Sequence, residues 1–388
     1  MPIPLSLLAT PADAGVRMLA LSWLQQAALR AEALRDPRRT DDWTLAEFAD
    51  ALRRLDAQLH AGDARLRARV GAAARARLRA LARLAEAGAD LRRHVGWTGE
   101  QLAGLEPRQQ PGAAWLLGHL TDLSADIEER LRRELGDAFA RFHRRLASRL
   151  RIYTVEVELA DAAPRPTLSA VIADALQADA DILGDRLTEI AASPGARSLR
   201  RAERVAARLC YRLELLGGHL PPSQSVLAPC ATLREALDAL RSRYVLGARL
   251  RRTAESEGAA RVGRALTHVL RSGTLAGVRG VLVTNTRGGF LALAGRLGGE
   301  TAGARDALRR HWLGGRAETL LGEVRGVAAL LRGPAPRPTP VEREPEREAA
   351  WGMDREMERE LGRELRGALG REPKRALAAE GGLLPTTA

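Results

Sequence analysis

The stretch RSLRRAERVAARLCYRLELL, residues 197–216, is written mostly in Ala, Leu, Arg and Glu. These are strong helix formers, and nothing in the stretch breaks a helix. Arg197, Arg201, Arg204, Arg208 and Arg212 follow one another at spacings of four, three, four and four. On a helix that spacing stacks five guanidiniums on one face. Glu203 is the acid that interrupts them. Like charges stacked this way are destabilising unless an anion or an acidic side chain meets them. Either Glu and Asp of neighbouring helices neutralise the face, or it binds an anion.

The same vocabulary runs through the whole chain. Of 388 residues, 45% are hydrophobic and only 3% aromatic, and the apolar share is mostly Ala and Leu. That composition supports a real core and predicts an all-α fold. It argues against a parallel-sheet enzyme, a β-sandwich and a β-barrel. The net charge is +13, and Lys374 is the only lysine among 61 basic residues. The first 373 residues therefore offer no P-loop lysine, Schiff base or lysine general base. Arginine stays charged and forks onto phosphate oxygens, so the surface favours anionic partners.

Helix punctuation divides the chain into two similar halves. In the first, helices are expected over 14–34, 41–59, 63–93, 98–105 and 113–151. In the second they are expected over 168–192, 197–216, 221–252, 255–271 and 301–331. The segment RIYTVEVEL, residues 151–159, is the best strand candidate, because β-branched residues alternate there, and reads equally as a frayed helix end. Two antiparallel four-helix bundles related by an internal repeat are predicted, the first over 14–160 and the second over 161–332. The proline-rich, mixed-charge segment 333–388 reads as a flexible linker and tail. Residues 334–388 hold ten basic and eleven acidic side chains, so the positive balance lies in the bundles.

Catalytic and metal-binding patterns are missing. The seven histidines never fall at HxxxH or HExxH spacing, and no GxSxG or GxGxxG occurs. Glu156 and Glu158 form an ExE pair that could hold a metal in a triphosphate-handling enzyme, but the barrel strands such a site needs are absent from the pattern. Cys210 and Cys230 are too few for a disulfide framework or a zinc site and read as small buried side chains. Met1–Leu8 lacks the basic start of a signal peptide. No apolar run reaches the ~18–20 residues of a membrane span. A cytoplasmic protein without membrane contact, catalytic residues, metal or cofactor is expected.

Other arginines are placed to join the face on 197–212. Arg53 and Arg54 lie on the second expected helix, Arg65, Arg69, Arg75, Arg79 and Arg83 on the third. Arg241, Arg243, Arg249, Arg251 and Arg252 lie further along.

With these residues in view, a resemblance emerges. Residues 200–216, ending in Arg208-Leu209-Cys210-Tyr211-Arg212-Leu213-Glu214-Leu215-Leu216, resemble the second signature of CHAD domains, the conserved-histidine α-helical family, roughly HxxRxxxKRLRYxLExL. Residues 46–56, with Arg53-Arg54-Leu55 in register, resemble the first, roughly HxxRVxxRRLR. Leu78 to Arg83 with Ala89-Asp90-Leu91 is similar to the family's LRxLARxLGxxRDLD, and Leu237 to Leu240 to its LQDxLG. Order and spacing agree over about residues 14–331. The departures are specific. The family histidine falls at Ala46 and Arg200, the next arginine at Ala49 and Glu203, and the last arginine at Asp56 and Cys210. The chain is similar to a divergent member lacking the motif histidines.

The resemblance implies a two-bundle helical fold with pseudo-twofold symmetry. It also implies binding of inorganic polyphosphate in a basic channel between the bundles, and association with polyphosphate granules. The candidate polyanion-binding residues are Arg53, Arg54, Arg79, Arg83, Arg200, Arg201, Arg204, Arg208 and Arg212. Arg200 in place of histidine keeps a cation and removes pH dependence. The function expected is non-enzymatic binding of a linear polyanion. The alternatives are a helical scaffold for protein partners that has lost its ligand, and nucleic-acid binding. Against the last, Tyr211 is the only aromatic near the arginines, and single-strand binders usually offer several stacking platforms.

Overall fold

Helix starts follow local caps. The Asp41 carboxylate accepts the Thr44 backbone N–H at 2.6 Å and opens a helix at Asp42. The Thr167 hydroxyl accepts the Ala170 N–H at 3.3 Å and opens one at Leu168. Each satisfies one of the donors a helix start leaves orphaned. The computed structural model describes residues 4–36, 41–62, 64–151, 165–217, 220–272 and 286–333. They form α1 (Leu5–Leu8), α2 (Ala12–Ala33), α3 (Asp42–Ala61), α4 (Ala64–Val70), α5 (Ala72–Leu102), α6 (Gln110–Glu134), α7 (Asp137–Arg151), α8 (Leu168–Ala192), α9 (Ala196–Leu216), α10 (Pro221–Ser272), α11 (Thr286–Leu308) and α12 (Arg316–Arg332). A π-helical turn, Arg309–Leu313, precedes α12.

The fold is all-α, as the composition predicts. No strand occurs among the described residues; the first residue of the strand candidate, Arg151, ends α7, while 152–159, the Glu156/Glu158 pair and the tail from 334 onward lie outside them. Several helix boundaries differ from expectation. The helix expected over 63–93 is two, α4 and α5, because Gly71 turns through a positive φ of 82° that glycine adopts at little cost. Arg149 Nη1 donates to the Val70 carbonyl at 2.9 Å and holds that break. α5 then runs on to Leu102 and absorbs most of the short helix expected at 98–105. The helix expected over 113–151 breaks between α6 and α7 at Leu135 and Gly136. Conversely, the helices expected over 221–252 and 255–271 are one helix of 52 residues, α10, which carries Pro229 within it. The last expected helix, 301–331, begins earlier, at Thr286, and is interrupted by the π-turn.

Neighbouring helices pack in the same order in both halves: α2 on α3, α3 on α5, α5 on α6, and then α8 on α9, α9 on α10, α10 on α11. The halves join where equivalent elements meet. Pro11 and Thr167, each just before the first long helix of its half, form an antiparallel bridge. Ala12 N donates to Pro166 O and Leu168 N to Thr10 O, both at 2.9 Å. At the other end α6 meets α11, with Gly112 against the Thr286 backbone and Gly289 against the Gln109 and Ala113 backbones.

The main core draws on both halves. Leu24, Leu45, Phe48, Leu52, Leu55 and Leu78 meet Leu176, Leu183, Leu199, Leu209, Leu213 and Leu237 in one buried cluster. A second cluster, with Leu91, Leu116, Leu120, Leu250 and Leu293, sits where α5, α6, α10 and α11 pack. Burial of this aliphatic surface is the main force holding the helices together.

Candidate polyanion site

Three helices bring the sequence-predicted arginines toward one another: α3, α5 and α9. Their inner faces are apolar, and the residues one helical step away carry charge. Two cavities open along this line, sharing Arg53 and Glu86.

The smaller cavity, of about 230 Å³, is the basic one. Arg53 and His60 reach it from α3, Arg79 and Arg83 from α5, and Arg204 and Arg208 from α9; Asp56 and Glu86 are its acids. Arg79 and Arg83 are exposed at its rim. Arg79 Nε donates to the Arg75 carbonyl at 3.2 Å, and Arg83 makes no hydrogen bond or ion pair with the described residues. Arg204 lies 3.7 Å from Glu86, and Arg53 pairs with Glu86 and lies 3.6 Å from Glu203. The Arg53 Nε is buried and without a hydrogen-bond partner.

The cavity lining mixes burial with charge of both signs: against burial, Glu203 and Glu86 raise the Arg53 pKa. Burial, with Arg200 and Arg53 nearby, lowers the Arg204 pKa against the pull of Glu86. Burial, together with Arg208, Arg67 and Arg212, also lowers the His60 pKa against the pull of Asp56. The charge of an anion in the cavity would oppose both shifts.

The other predicted residues have different surroundings. Arg54 is held inside the protein: it bonds Asp50 at 2.7 Å, pairs with Glu214, and stacks on the rings of Trp23 and Tyr211 at 4.7 and 4.2 Å. Arg212 is buried and paired with Asp179 of α8. Arg208 shares that carboxylate at 2.5 Å while still lining the basic cavity. Arg201 is exposed and lies 4.0 Å from Glu189. Arg200 is half-buried and makes no hydrogen bond or ion pair with the described residues. The geometry thus gathers Arg53, Arg79, Arg83, Arg204 and Arg208, and leaves Arg54, Arg200, Arg201 and Arg212 outside the cavity lining. His60 joins the site without having been singled out. Its signal was positional: it lies seven residues after Arg53 and so returns to the same face of α3.

The larger cavity, of about 560 Å³, has mixed charge. Ala46, Ala49 and Glu203 line it, three of the positions where the sequence departs from the CHAD signatures. Seven carboxylates line it against four arginines, and several of them are paired. Asp90 bonds Arg241 at 2.8 Å through both oxygens and Arg93 at 2.5 Å; Asp238 bonds Arg93 at 2.6 Å and Arg241 at 2.7 Å. Asp50 accepts from Arg234 at 3.1 Å and from the Tyr211 hydroxyl. Arg241 is therefore committed to internal pairs. Arg249 donates to His94 Nδ1 at 3.0 Å, and Arg243 lies 3.6 Å from Glu300. Among the described residues no group of three or more metal-ligating side chains is present, and no helix is long and apolar enough to cross a membrane.

No family model and no curated protein matches the chain. Among solved structures, the crystal structure of the CHAD domain from the plant Ricinus communis is similar, at 18% identity and a TM-score of 0.48, over 73% of this chain and 96% of that one.

Proposed function

We propose that this chain binds a linear polyanion, with inorganic polyphosphate the first candidate, and does no chemistry on it. The observation that carries the reading is the basic cavity between α3, α5 and α9. It brings five arginines and a histidine together against two acids; among the described residues Arg83 forms no hydrogen bond or ion pair, and Arg79 faces Asp56 without a close ion pair. Guanidinium forks suit successive phosphates, and no base-reading or stacking group is needed. The CHAD-like signatures in the sequence point to the same ligand class. Cytoplasmic location and recruitment to polyphosphate granules belong to this reading.

A second reading, a scaffold for a protein partner, has one observation in its favour. The larger cavity sets seven carboxylates against four arginines, a lining that repels a polyanion and suits a protein partner. Nucleic acid is less favoured, since Tyr211 is buried, bonded to Asp50 and stacked between Arg54 and Arg234, so it offers no stacking surface.

The test is titration of the protein with long-chain polyphosphate at two salt concentrations, with heparin, RNA and duplex DNA as competitors. Binding should weaken steeply with salt, because each phosphate contact releases counterions. The double change Arg79→Ala, Arg83→Ala removes exposed side chains and should spare the fold. It should cut affinity and flatten the salt slope by about two counterions. Equal binding by the double variant and the parent would dismiss this cavity, and no preference for polyphosphate over heparin would leave the scaffold reading in its place.

A further inference from the structure

Cys210 of α9 and Cys230 of α10 face each other in the apolar core, 1% and 0% exposed. The Cys210 thiol donates to Cys230 Sγ at 3.3 Å, and the Cys230 thiol to the Ala206 carbonyl at 3.7 Å. Both are free thiols. A disulfide needs about 2.05 Å between sulfurs, so the two atoms would close by about 1.3 Å. Two sulfurs already in contact across a helix pair form a dithiol, and neither is taken up by the anion site.

We propose that Cys210 and Cys230 are a redox pair, which a hydroperoxide converts into an intrachain disulfide pinning α9 to α10. One thiolate attacks the peroxide oxygen; the O–O bond breaks, giving a sulfenic acid and releasing the alcohol or, from hydrogen peroxide, water. The second sulfur attacks the sulfenic sulfur, the S–S bond forms and water leaves. In balance, two thiols and one hydroperoxide give one disulfide, one alcohol and one water, with two electrons passing from sulfur to oxygen. A dithiol reductant reverses it by exchange. Burial sets the rate, because the peroxide must enter through local opening of the helix pair. The neighbouring Cys210 and burial also raise the Cys230 thiol well above its ordinary value, so oxidation should accelerate as the pH rises. The crosslink would lie two residues from both Arg208 and Arg212.

The experiment treats the full-length native protein with hydrogen peroxide, quenches it, and counts thiols with Ellman's reagent in denaturant. Titratable thiols should fall from two per chain to none, and the intact mass should drop by two hydrogens. The chain should stay monomeric on a non-reducing gel, and dithiothreitol should restore both thiols. The oxidised form should melt at a higher temperature than the reduced form, a shift absent in Cys210→Ser and Cys230→Ala. Because the thiol count and mass are read on the parent protein, unstable variants leave the result intact. Mass gained as oxygen without the crosslink, intermolecular dimers, or two thiols persisting until the chain is unfolded would overturn the proposal.

Discussion

At the residue scale, the arginines divide by what their guanidiniums already hold. Asp179 is buried on α8 and accepts from both Arg208 and Arg212. Asp179→Ala should therefore leave the buried Arg212 charge uncompensated and destabilise the fold by about 3–5 kcal/mol, read as a lower midpoint in urea. Glu86 behaves differently. It is the carboxylate that occupies Arg53 and Arg204 while also lining the basic cavity. A phosphate must compete with it for those two donors. Glu86→Gln should raise polyphosphate affinity several-fold, measured in the same titration, since the amide cannot repel the ligand. A loss of affinity would instead mean that Glu86 serves mainly to position the two guanidiniums. The spacing in residues 197–212 revealed the stacked arginines but not their fates. Arg208 and Arg212 are one turn apart on α9, yet Arg212 is buried against Asp179 of α8 and only Arg208 borders the cavity; the spacing within 197–212 does not show that partner.

At the element scale, two close helix approaches fix how the halves meet. A Cβ at Gly112 would fall on the Thr286 carbonyl, and one at Gly289 on the Gln109 carbonyl and Ala113 nitrogen. Backbone cannot swing aside as a side-chain tip can. Gly289→Ala should cost about 3 kcal/mol despite the better helix propensity of alanine, because α6 and α11 must separate. By contrast Gly322→Ala, on α12 with nothing near the added methyl, should be neutral or slightly stabilising. Thermal melts of the two variants check both. Most helices were legible as runs of Ala, Leu, Arg and Glu ended by Pro or Gly, and α8 and α9 fall almost where the sequence places them. The errors share a cause. Gly71 ends a helix because its φ is positive, whereas glycines at 295, 298 and 299 ride inside α11. Pro229 sits inside α10, where the local rule would stop a helix. Packing decides which of these signals prevails, and packing partners are distant in sequence.

At the scale of the whole molecule, the net charge of +13 coexists with a core that keeps one imidazole neutral. His94 is 2% exposed, and its Nδ1 faces Arg249 Nη1 at 3.0 Å. A guanidinium only donates, so Nδ1 must accept; Nε2 then carries the proton and donates to the Ser242 carbonyl at 3.2 Å. Protonation would set N–H against N–H beside a permanent cation. Burial, with Arg249 next, pushes the His94 pKa down to about 4. The unfolded chain takes up that proton near pH 6.5, while the folded one refuses it until about pH 4. The contribution is therefore complete above pH 6.5 and is lost as the pH falls toward 4, a decline on the order of 3 kcal/mol. The lowered pKa values of His60 and His143 act in the same direction. Glu203, raised by burial, acts in the opposite one, since its protonation in the fold comes earlier. Urea unfolding between pH 8 and 4 should show stability declining from about pH 6.5, and His94→Gln should flatten that decline, because the amide oxygen can accept from Arg249 without titrating. An unchanged slope in His94→Gln would move the acid sensitivity to the other two histidines. Ligand binding should follow the reverse pH trend: phosphate beside His60 favours its protonated form, so polyphosphate affinity should increase over the pH range in which the unliganded fold weakens.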